Sequence, residues 1–306
     1  MQVFSQIKPW LKPRAYTFSN GQDKPSVLPI EPIELAISPD GKNWTSYYDE
    51  EDMEGIYLID WDIAMTNPVF NYQKINTQDG QYPVSSSFDS RTITTNWYAW
   101  NEDHADQMMA VHELQKFLIK REGYWICFGD DPSYKYRVHC NPFTTNYVNE
   151  KQENFQVTFN NYTGMRESIA TTLDPLQFDN ELFSAGMGIP HDDVNWHFSS
   201  NSFQVYNPSD VDIDPLRQHH YLQIHFKGNG SVNLTNKTTD ENFSYSRPLN
   251  SGDELLLNGV DPYFNNKPDG INSNHGTISL FRGWNEFEIA GLSNPDIQFE
   301  FYFIYF

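Results

Sequence analysis

Short strand-like segments recur through the last third of the chain, and this feature most constrains the fold. From Trp196 onward, runs such as YLQIHFKG, GSVNLTN and NEFEIAG alternate apolar and polar residues with a period of two. Gly, Asn, Asp and Pro separate these runs, and no helical pattern interrupts them. The pattern predicts an antiparallel β-sandwich over residues 196–306.

Residues 33–164 combine strand patterns with one strong helix pattern. The helical stripe recurs at spacings of three and four residues, at Ala105, Met108, Val111, Leu114 and Leu118. Asn101 is the expected N-cap, and basic residues precede Gly123 at the far end. One helix on antiparallel strands predicts an α+β N-terminal domain, so the fold class is mainly β.

A long hairpin is predicted within this domain, over about residues 66–97. Apolar and polar residues alternate on both sides of Asp79-Gly80, a dipeptide that favours a tight hairpin turn. If the hairpin projects from the sheet, its faces need water or another subunit.

Two further segments complete the predicted organisation. Residues 1–32 are rich in Pro and polar residues, which indicates an N-terminal extension. Residues 165–195 carry short helical and turn signals without a clear strand pattern, so they are interpreted as a linker between the two domains.

The overall charge and hydropathy exclude two classes of partner. The chain has 41 acidic and 20 basic residues, a formal charge of -21, which argues against a nucleic-acid-binding surface built from Lys and Arg. No apolar run approaches the roughly 18 residues of a membrane-spanning helix, so no membrane association is expected.

Two acidic patterns suggest catalysis, but each is incomplete. His112-Glu113 begins a zinc-helix motif whose second histidine position holds Lys116, which offers no lone pair at neutral pH. Asp60 and Asp62 share one strand face and could form a glycosidase pair, which makes a wall hydrolase a remote alternative. In so acidic a chain, a surface or subunit contact is the favoured interpretation of these two carboxylates.

Three histidines and one polar loop raise the question of a metal site. His219 and His220 point to opposite faces of a strand, so they cannot both join His225 around one ion. The loop 269–274 is rich in oxygen ligands but lacks the ordered pattern and terminal Glu of a calcium loop. No metal and no cofactor are expected, and the protein is predicted not to be an enzyme.

The two cysteines flank the turn GDDPS on two predicted strands. A disulfide between Cys127 and Cys140 is not excluded by strand pairing, but a metal set or a reactive pair would need His139 on the same face. Core packing is the favoured interpretation for both thiols.

An ordered set of segments resembles the distal tail proteins of siphophages, the Dit family of phages infecting Gram-positive bacteria. The set consists of a strand, the basic end of the helix, an aromatic strand, an acidic turn and a second strand, at Arg91–Thr94, Leu114–Arg121, Tyr124–Phe128, Asp130-Asp131 and Tyr136–Val138. With the linker and the closing run GWNEFEIAGLSNPDIQFEFYFIYF, the resemblance covers residues 33–306. Residues 1–32 are longer than the usual start of this family.

The resemblance implies a homo-hexameric ring in the virion, at the tail tip or baseplate, assembled in the host cytoplasm. The N-terminal domains would close the ring, partly through a belt hairpin, and C-terminal galectin-like sandwiches would lie outside it. The implied partners are the tail tube, a tail-associated hub or lysin protein and receptor-binding proteins, while genome DNA passes the channel without specific binding. The residues matched to the belt are Phe70, Tyr72, Lys74, Asp79, Gly80 and Tyr82.

A cell-wall carbohydrate-binding protein is the main alternative function. In that case exposed aromatic rings of the C-terminal sandwich would stack on sugars. The candidate rings are Trp196, Tyr263 and Trp284, although the strand periodicity around Trp284 favours core packing.

Overall fold

The chain folds into two compact units, unit 1 (residues 1–166 with Phe306) and unit 2 (167–305). The computed structural model describes residues 2–6, 32–149, 151–176, 182–190 and 194–306. Most of the predicted extension 1–32 therefore lies outside the described residues. In the described part of the extension, Ser5 is buried in unit 1, and its backbone N–H donates to Glu34 Oε1 at 2.6 Å. The predicted mainly β fold class is confirmed.

Unit 1 contains the first nine strands and most of the tenth. Their bounds are β1 (Leu35–Ser38), β2 (Thr45–Ser46), β3 (Ile56–Ile63), β4 (Pro68–Gln73), β5 (Tyr82–Phe88), β6 (Arg91–Trp100), β7 (Tyr124–Phe128), β8 (Tyr134–Cys140), β9 (Thr145–Asn149) and β10 (Gln152–Thr171). The main sheet has the order β2-β1-β7-β8-β10-β6-β3, and β9 also pairs with β10. An antiparallel bridge between Ile33 and Leu58 connects β3 to the residues before β1, so the sheet encloses one core.

The predicted helix forms as α1 (His104–Leu118), but its cap and its buried face differ from the sequence pattern. Asp103, not Asn101, is the N-cap, because its Oδ1 accepts from the N–H groups of Ala105 and Asp106 at 2.9 and 3.0 Å. The predicted stripe residue Met108 is exposed. The buried face is instead formed by Gln107, Ala110, Leu114, Phe117 and Leu118.

The boundary between the units falls inside β10, at the start of the predicted linker 165–195. The structure assigns Glu167–Thr171 to the strand and places the described part of 172–195 in unit 2. Ile169 and Ala170 are fully buried, and Ser168 Oγ accepts from the N–H of Phe303 at 2.9 Å. Because many side chains of this segment are small or polar, its sequence shows no strand pattern, although its backbone forms a strand that belongs to unit 2.

Unit 2 is an antiparallel arrangement of eight further strands. Their bounds are β11 (His197–Phe198), β12 (Ser202–Asn207), β13 (Leu222–Asn236), β14 (Glu241–Leu249), β15 (Leu255–Asn258), β16 (Asp261–Phe264), β17 (Lys267–Pro268) and β18 (Gly283–Tyr305). The order is β17-β16-β15-β13-β18, with β14 paired to β13 and both β11 and β12 paired to β18.

The two long strands β13 and β18 each pair with different strands along the two halves of their length. The first half of β13 pairs with β15 and its second half with β14, and the register against β18 shifts between these halves. Gly230 lies at the shift with φ 122°, and a Cβ there would stand 2.1 Å from the carbonyl oxygen of Gly291. Only glycine permits this close approach of the two backbones.

Candidate functional site

The β4–β5 hairpin (68–88) is the part of unit 1 with the largest exposed apolar content. It forms a separate two-stranded sheet, while β6 belongs to the main sheet; the predicted range 66–97 therefore includes both. The register pairs Pro68 with Phe88, Phe70 with Ser86 and Tyr72 with Pro83. Because directly opposite residues share a face, the hairpin has two chemically different faces.

One face of the hairpin is apolar and largely exposed among the described residues. It carries Pro68, Phe70, Tyr72, Pro83 and Phe88, together with Ser86. Phe70 is 51% exposed and Tyr72 is 56% exposed, and their ring centroids lie 6.3 Å apart. We call this surface the apolar hairpin face.

The opposite face of the hairpin is mostly polar. Asn71 and Gln73 lie on it, and the amide of Asn71 donates to Ser85 Oγ at 3.0 Å. Tyr82 pairs with Gln73, so it lies on this face and apart from Phe70 and Tyr72.

The remaining predicted belt residues, Lys74, Asp79 and Gly80, are exposed at the hairpin tip. Gly80 has φ 82°, and no atom lies within 4 Å of the position its Cβ would take. The apolar hairpin face also includes Pro68, Pro83 and Phe88, which are not among the predicted belt residues; the alternation in NPVFNY and SSSFDS carries the signal for Pro68 and Phe88.

Asp60 and Asp62 remain separate surface carboxylates. Asp60 Oδ1 accepts from the amide of Asn96 at 2.5 Å, and Asp62 accepts from the N–H of Ile63 at 2.8 Å. Between them, Trp61 stacks on Phe128 with ring centroids 4.1 Å apart and closes the core. This part of the strand therefore contributes a packed Trp61 and surface hydrogen bonds from Asp60 and Asp62, not a pair of hydrolase carboxylates.

The incomplete zinc motif is an ordinary helix surface. Lys116 Nζ forms an ion pair with Glu113 Oε2 at 2.5 Å, which occupies the carboxylate that a peptidase would use as a base. Across the described ranges, no group of three or more His, Cys, Asp or Glu side chains could hold a metal ion.

The three histidines considered for a metal site, His219, His220 and His225, do not form a metal-binding group in the described structure. The N–H of Asp214 donates to His220 Nδ1 at 3.2 Å, while His219 adopts a left-handed conformation with φ 55°. His225 Nδ1 lies 3.2 Å from Glu254 Oε1, and its Nε2 lies 3.7 Å from Glu300 Oε2. His225 is thus part of an ion-pair cluster on the surface of unit 2.

The two cysteines are not bonded to each other. Cys127 is fully buried and Cys140 is half-buried, and burial raises the pKa of the Cys140 thiol to about 12. The register pairs Tyr124 with Val138, which offsets the two cysteines by five residues along the strands, on the order of 16 Å. A disulfide needs Cα atoms within about 7 Å, so this geometry excludes it.

The three carbohydrate candidates differ in exposure. Trp196 is buried, and its indole N–H donates to the carbonyl of Tyr206 at 2.9 Å, so it cannot stack on a sugar. Tyr263 is half-buried. Trp284 is 46% exposed beside Tyr206, at a centroid distance of 4.9 Å, because the buried phase of β18 begins at Asn285. The core packing expected for Trp284 is therefore wrong.

Within the part of the chain that the structure describes, no helix is long and apolar enough to cross a membrane.

The comparison with protein families decides the nature of unit 1. Residues 42–161 match the family described as phage tail protein RIFT-related domain. These residues are similar to that phage tail domain. No curated protein sequence matches the chain.

One solved structure shares the fold over most of the chain, and a second is similar at a lower score. The crystal structure of the SPP1 Dit protein, described as a paradigm of the hub adsorption apparatus in Gram-positive infecting phages, matches with a TM-score of 0.63 at 12% identity, over 89% of this chain and 99% of that one. The phage p2 baseplate in its activated conformation with Sr matches with a TM-score of 0.42 at 12% identity, over 88% and 97%.

The resemblance to siphophage distal tail proteins is confirmed by the phage tail domain and by the fold of the Dit protein. This family and this fold belong to structural phage tail proteins rather than to enzymes.

Proposed function

We propose that the protein is a structural ring component of a siphophage tail tip or baseplate, built from six copies of this chain. The phage tail domain at residues 42–161 and the Dit-like fold support a structural role in a phage tail. In this role the chain belongs to the virion and is assembled in the cytoplasm of the host.

The apolar hairpin face is the observation that supports ring formation most directly. Five apolar side chains on one face of a separate two-stranded sheet are exposed among the described residues of the single chain, although Phe88 also contacts Phe306. An isolated hairpin is only marginally stable in water, so this face gains stability when a second molecule covers it. A neighbouring copy fits this function because head-to-tail contacts between identical chains close into rings.

The partners of such a ring follow from its proposed place in the tail. The ring would join the tail tube to a tail-associated hub or lysin protein and would serve as a platform for receptor-binding proteins. The formal charge of -21 is consistent with a channel through which genome DNA passes without specific binding, since like charges repel.

Light scattering on the purified chain, alone and with its hub partner, tests the proposal. Six copies of a 35.7 kDa chain give a particle of about 214 kDa. We expect this mass over a wide concentration range. A monomer at every concentration, even with the partner present, would contradict the proposal.

Carbohydrate binding through Trp284 is the second candidate function, favoured by the exposure of that ring beside Tyr206. Stacking on a sugar would use the uncovered ring face of Trp284. Binding of the chain to host cell walls should fall after Trp284→Ala and stay unchanged after Trp100→Ala, another exposed tryptophan in unit 1. Equal binding by all three proteins would exclude this role for Trp284.

A further inference from the structure

Two adjoining cavities lie on the surface of unit 2 and share Asn272 in their linings. The first has a volume of about 540 Å³ and is lined by residues of β14, β16, β17 and the adjoining turns: Arg247, Phe264, Asn265, Lys267, Pro268, Asp269 and Asn272. The second has a volume of about 550 Å³ and is lined by residues of β13, β14 and 271–274. Because both linings include Asn272, the two cavities adjoin, and we call the pair the β14 groove.

The first cavity presents a fixed cationic group. The guanidinium of Arg247 lies over the ring of Phe264, 3.8 Å from its centroid. Its Nη1 lies 3.5 Å from Asp269 Oδ2. These two contacts limit the conformations of Arg247 while leaving further N–H donors directed away from Asp269, and a preorganised guanidinium is well suited to bind phosphate oxygens.

The carboxylate in this cavity is already occupied by donors from unit 2. Asp269 accepts from the hydroxyl of Tyr245 at 2.5 Å and from the amide of Asn272 at 2.7 and 3.0 Å. The hydrogen bond from Tyr245 is the main cause of a lowered pKa of Asp269. Asp269 therefore holds Tyr245 and Asn272 in place, and hydrogen bonds within the protein satisfy its oxygens without an added cation.

Lys267 adds a second positive charge to the same cavity. Among the described residues it forms no ion pair, and it is exposed. With Arg247, Lys267 and Asp269 the lining carries one net positive charge in a chain whose formal charge is -21. A lining of net positive charge favours an anionic ligand over a cationic one, and the nearby Asp253, which interacts with Arg247, reduces this charge but does not line the cavity.

The second cavity is lined by neutral hydrogen-bonding groups. Hydroxyl and amide side chains line it, among them Ser231, Asn233, Ser244 and Ser246, and no lining residue is charged. Ile271 also lines this cavity, directly before the shared Asn272, and is 90% exposed. A lining of this kind is suited to hydroxyl groups of a polyol or sugar.

We propose that the β14 groove binds a polyol phosphate polymer, with a phosphodiester in the Arg247–Lys267 cavity and the adjoining polyol or sugar in the neutral cavity. The ligand class follows from the order of the two linings, cationic and then neutral, along one groove. Such binding goes beyond ring assembly, because it gives unit 2 a ligand of its own.

Calorimetric titration of the full chain with poly(glycerol phosphate), inorganic phosphate and glycerol tests the proposal. We expect the polymer to bind about tenfold more tightly than inorganic phosphate, because it fills both cavities, and we expect no binding of glycerol. Polymer affinity equal to that of inorganic phosphate, or no binding of either, would overturn the proposal.

Matched variants locate the binding. Arg247→Met keeps an unbranched side chain over Phe264 but removes the charge, and it should weaken polymer binding about tenfold. Lys267→Gln should weaken it about threefold. Lys237→Gln is the control, since Lys237 lies on unit 2 in an ion pair with Glu288 at 2.6 Å. If Lys237→Gln weakens polymer binding as much as Lys267→Gln does, the effect comes from the overall charge and not from this cavity, and the assignment is wrong.

A second pair of variants tests whether both cavities belong to one site. Ile271→Glu adds a negative charge at an exposed position beside Asn272, which both cavities share, and Ile271→Gln adds a neutral side chain of similar size. We expect the first to bind polymer about threefold more weakly than the second. Equal affinity would show that the polymer does not cross Ile271, which contradicts the proposal.

The mass of each variant by light scattering separates this proposal from ring formation. Loss of polymer binding at an unchanged particle mass concerns the β14 groove alone. A monomeric wild-type chain that still binds polymer would refute ring formation and leave the groove assignment in place.

Discussion

Replacing Phe70 and Tyr72 together by serine removes the two aromatic rings from the apolar hairpin face. Full burial of such a side chain stabilises by about 1.5–3 kcal/mol. Because about half of each ring is already covered in the single chain, covering the rest in an interface contributes about 1 kcal/mol per residue. The double variant should therefore weaken each contact between copies by about 2 kcal/mol, or about 30-fold in dissociation constant.

The matched control replaces Asn71 and Gln73 by serine, at alternate positions of the same strand on the polar face. Sedimentation velocity over a dilution series reports the fraction of ring for each protein, and thermal unfolding reports the stability of the monomer. Both variants should keep the wild-type unfolding temperature, because all four positions are exposed. The reasoning is refuted if the control dissociates as readily as the Phe70 and Tyr72 variant, or if neither dissociates more than wild type.

Three further predictions concern the single chain. Gln107→Met should raise the free energy of unfolding in denaturant by about 1–3 kcal/mol, because the buried amide of Gln107 has no hydrogen-bond partner among the described residues. The control Gln115→Met, at an exposed position, should change it little, and a destabilised Gln107→Met would mean that the amide has a partner in solution. The pKa of His225 is raised above 6.5, chiefly by Glu300, so its contribution to the free energy of unfolding is complete below pH 6.5 and is lost as pH rises through the folded pKa. His225→Gln should remove this pH dependence of stability, and an unchanged pH dependence would contradict the assignment. Burial raises the pKa of Cys140 to about 12, so native thiols should react slowly at pH 8 and two should react after denaturation; fast native reaction would contradict the burial.

The helix shows how far hydrophobic periodicity can be followed. Its existence was predictable because start, stripe and basic end agree. Its cap was not, since Asn101 and Asp103 are both good capping residues and only the backbone geometry selects Asp103. Its buried face includes Gln107, a polar residue that no hydrophobic pattern reveals, while Met108 is apolar and exposed.

The candidate sites show a second limit, which concerns strand phase and pairing. In the run WNEFEIA, Trp284 is in phase with Glu286 and Glu288, and the structure buries Asn285 with Phe287 and Ile289; the large apolar ring of Trp284 was therefore a misleading signal for the core. The apolar hairpin face follows from alternation together with the register of β4 and β5. The β14 groove could not be predicted, because Arg247, Lys267 and Asn272 meet only through the pairing of distant strands.

Counting the rotational symmetry of the assembled particle by electron microscopy tests the central claim most directly. Averaged end-on views of the purified chain or of the tail tip should show a closed ring of six copies, with density connecting each copy to the next at the β4–β5 hairpin. Particles without a closed ring, or a ring whose contacts leave the apolar hairpin face in solvent, would contradict the account.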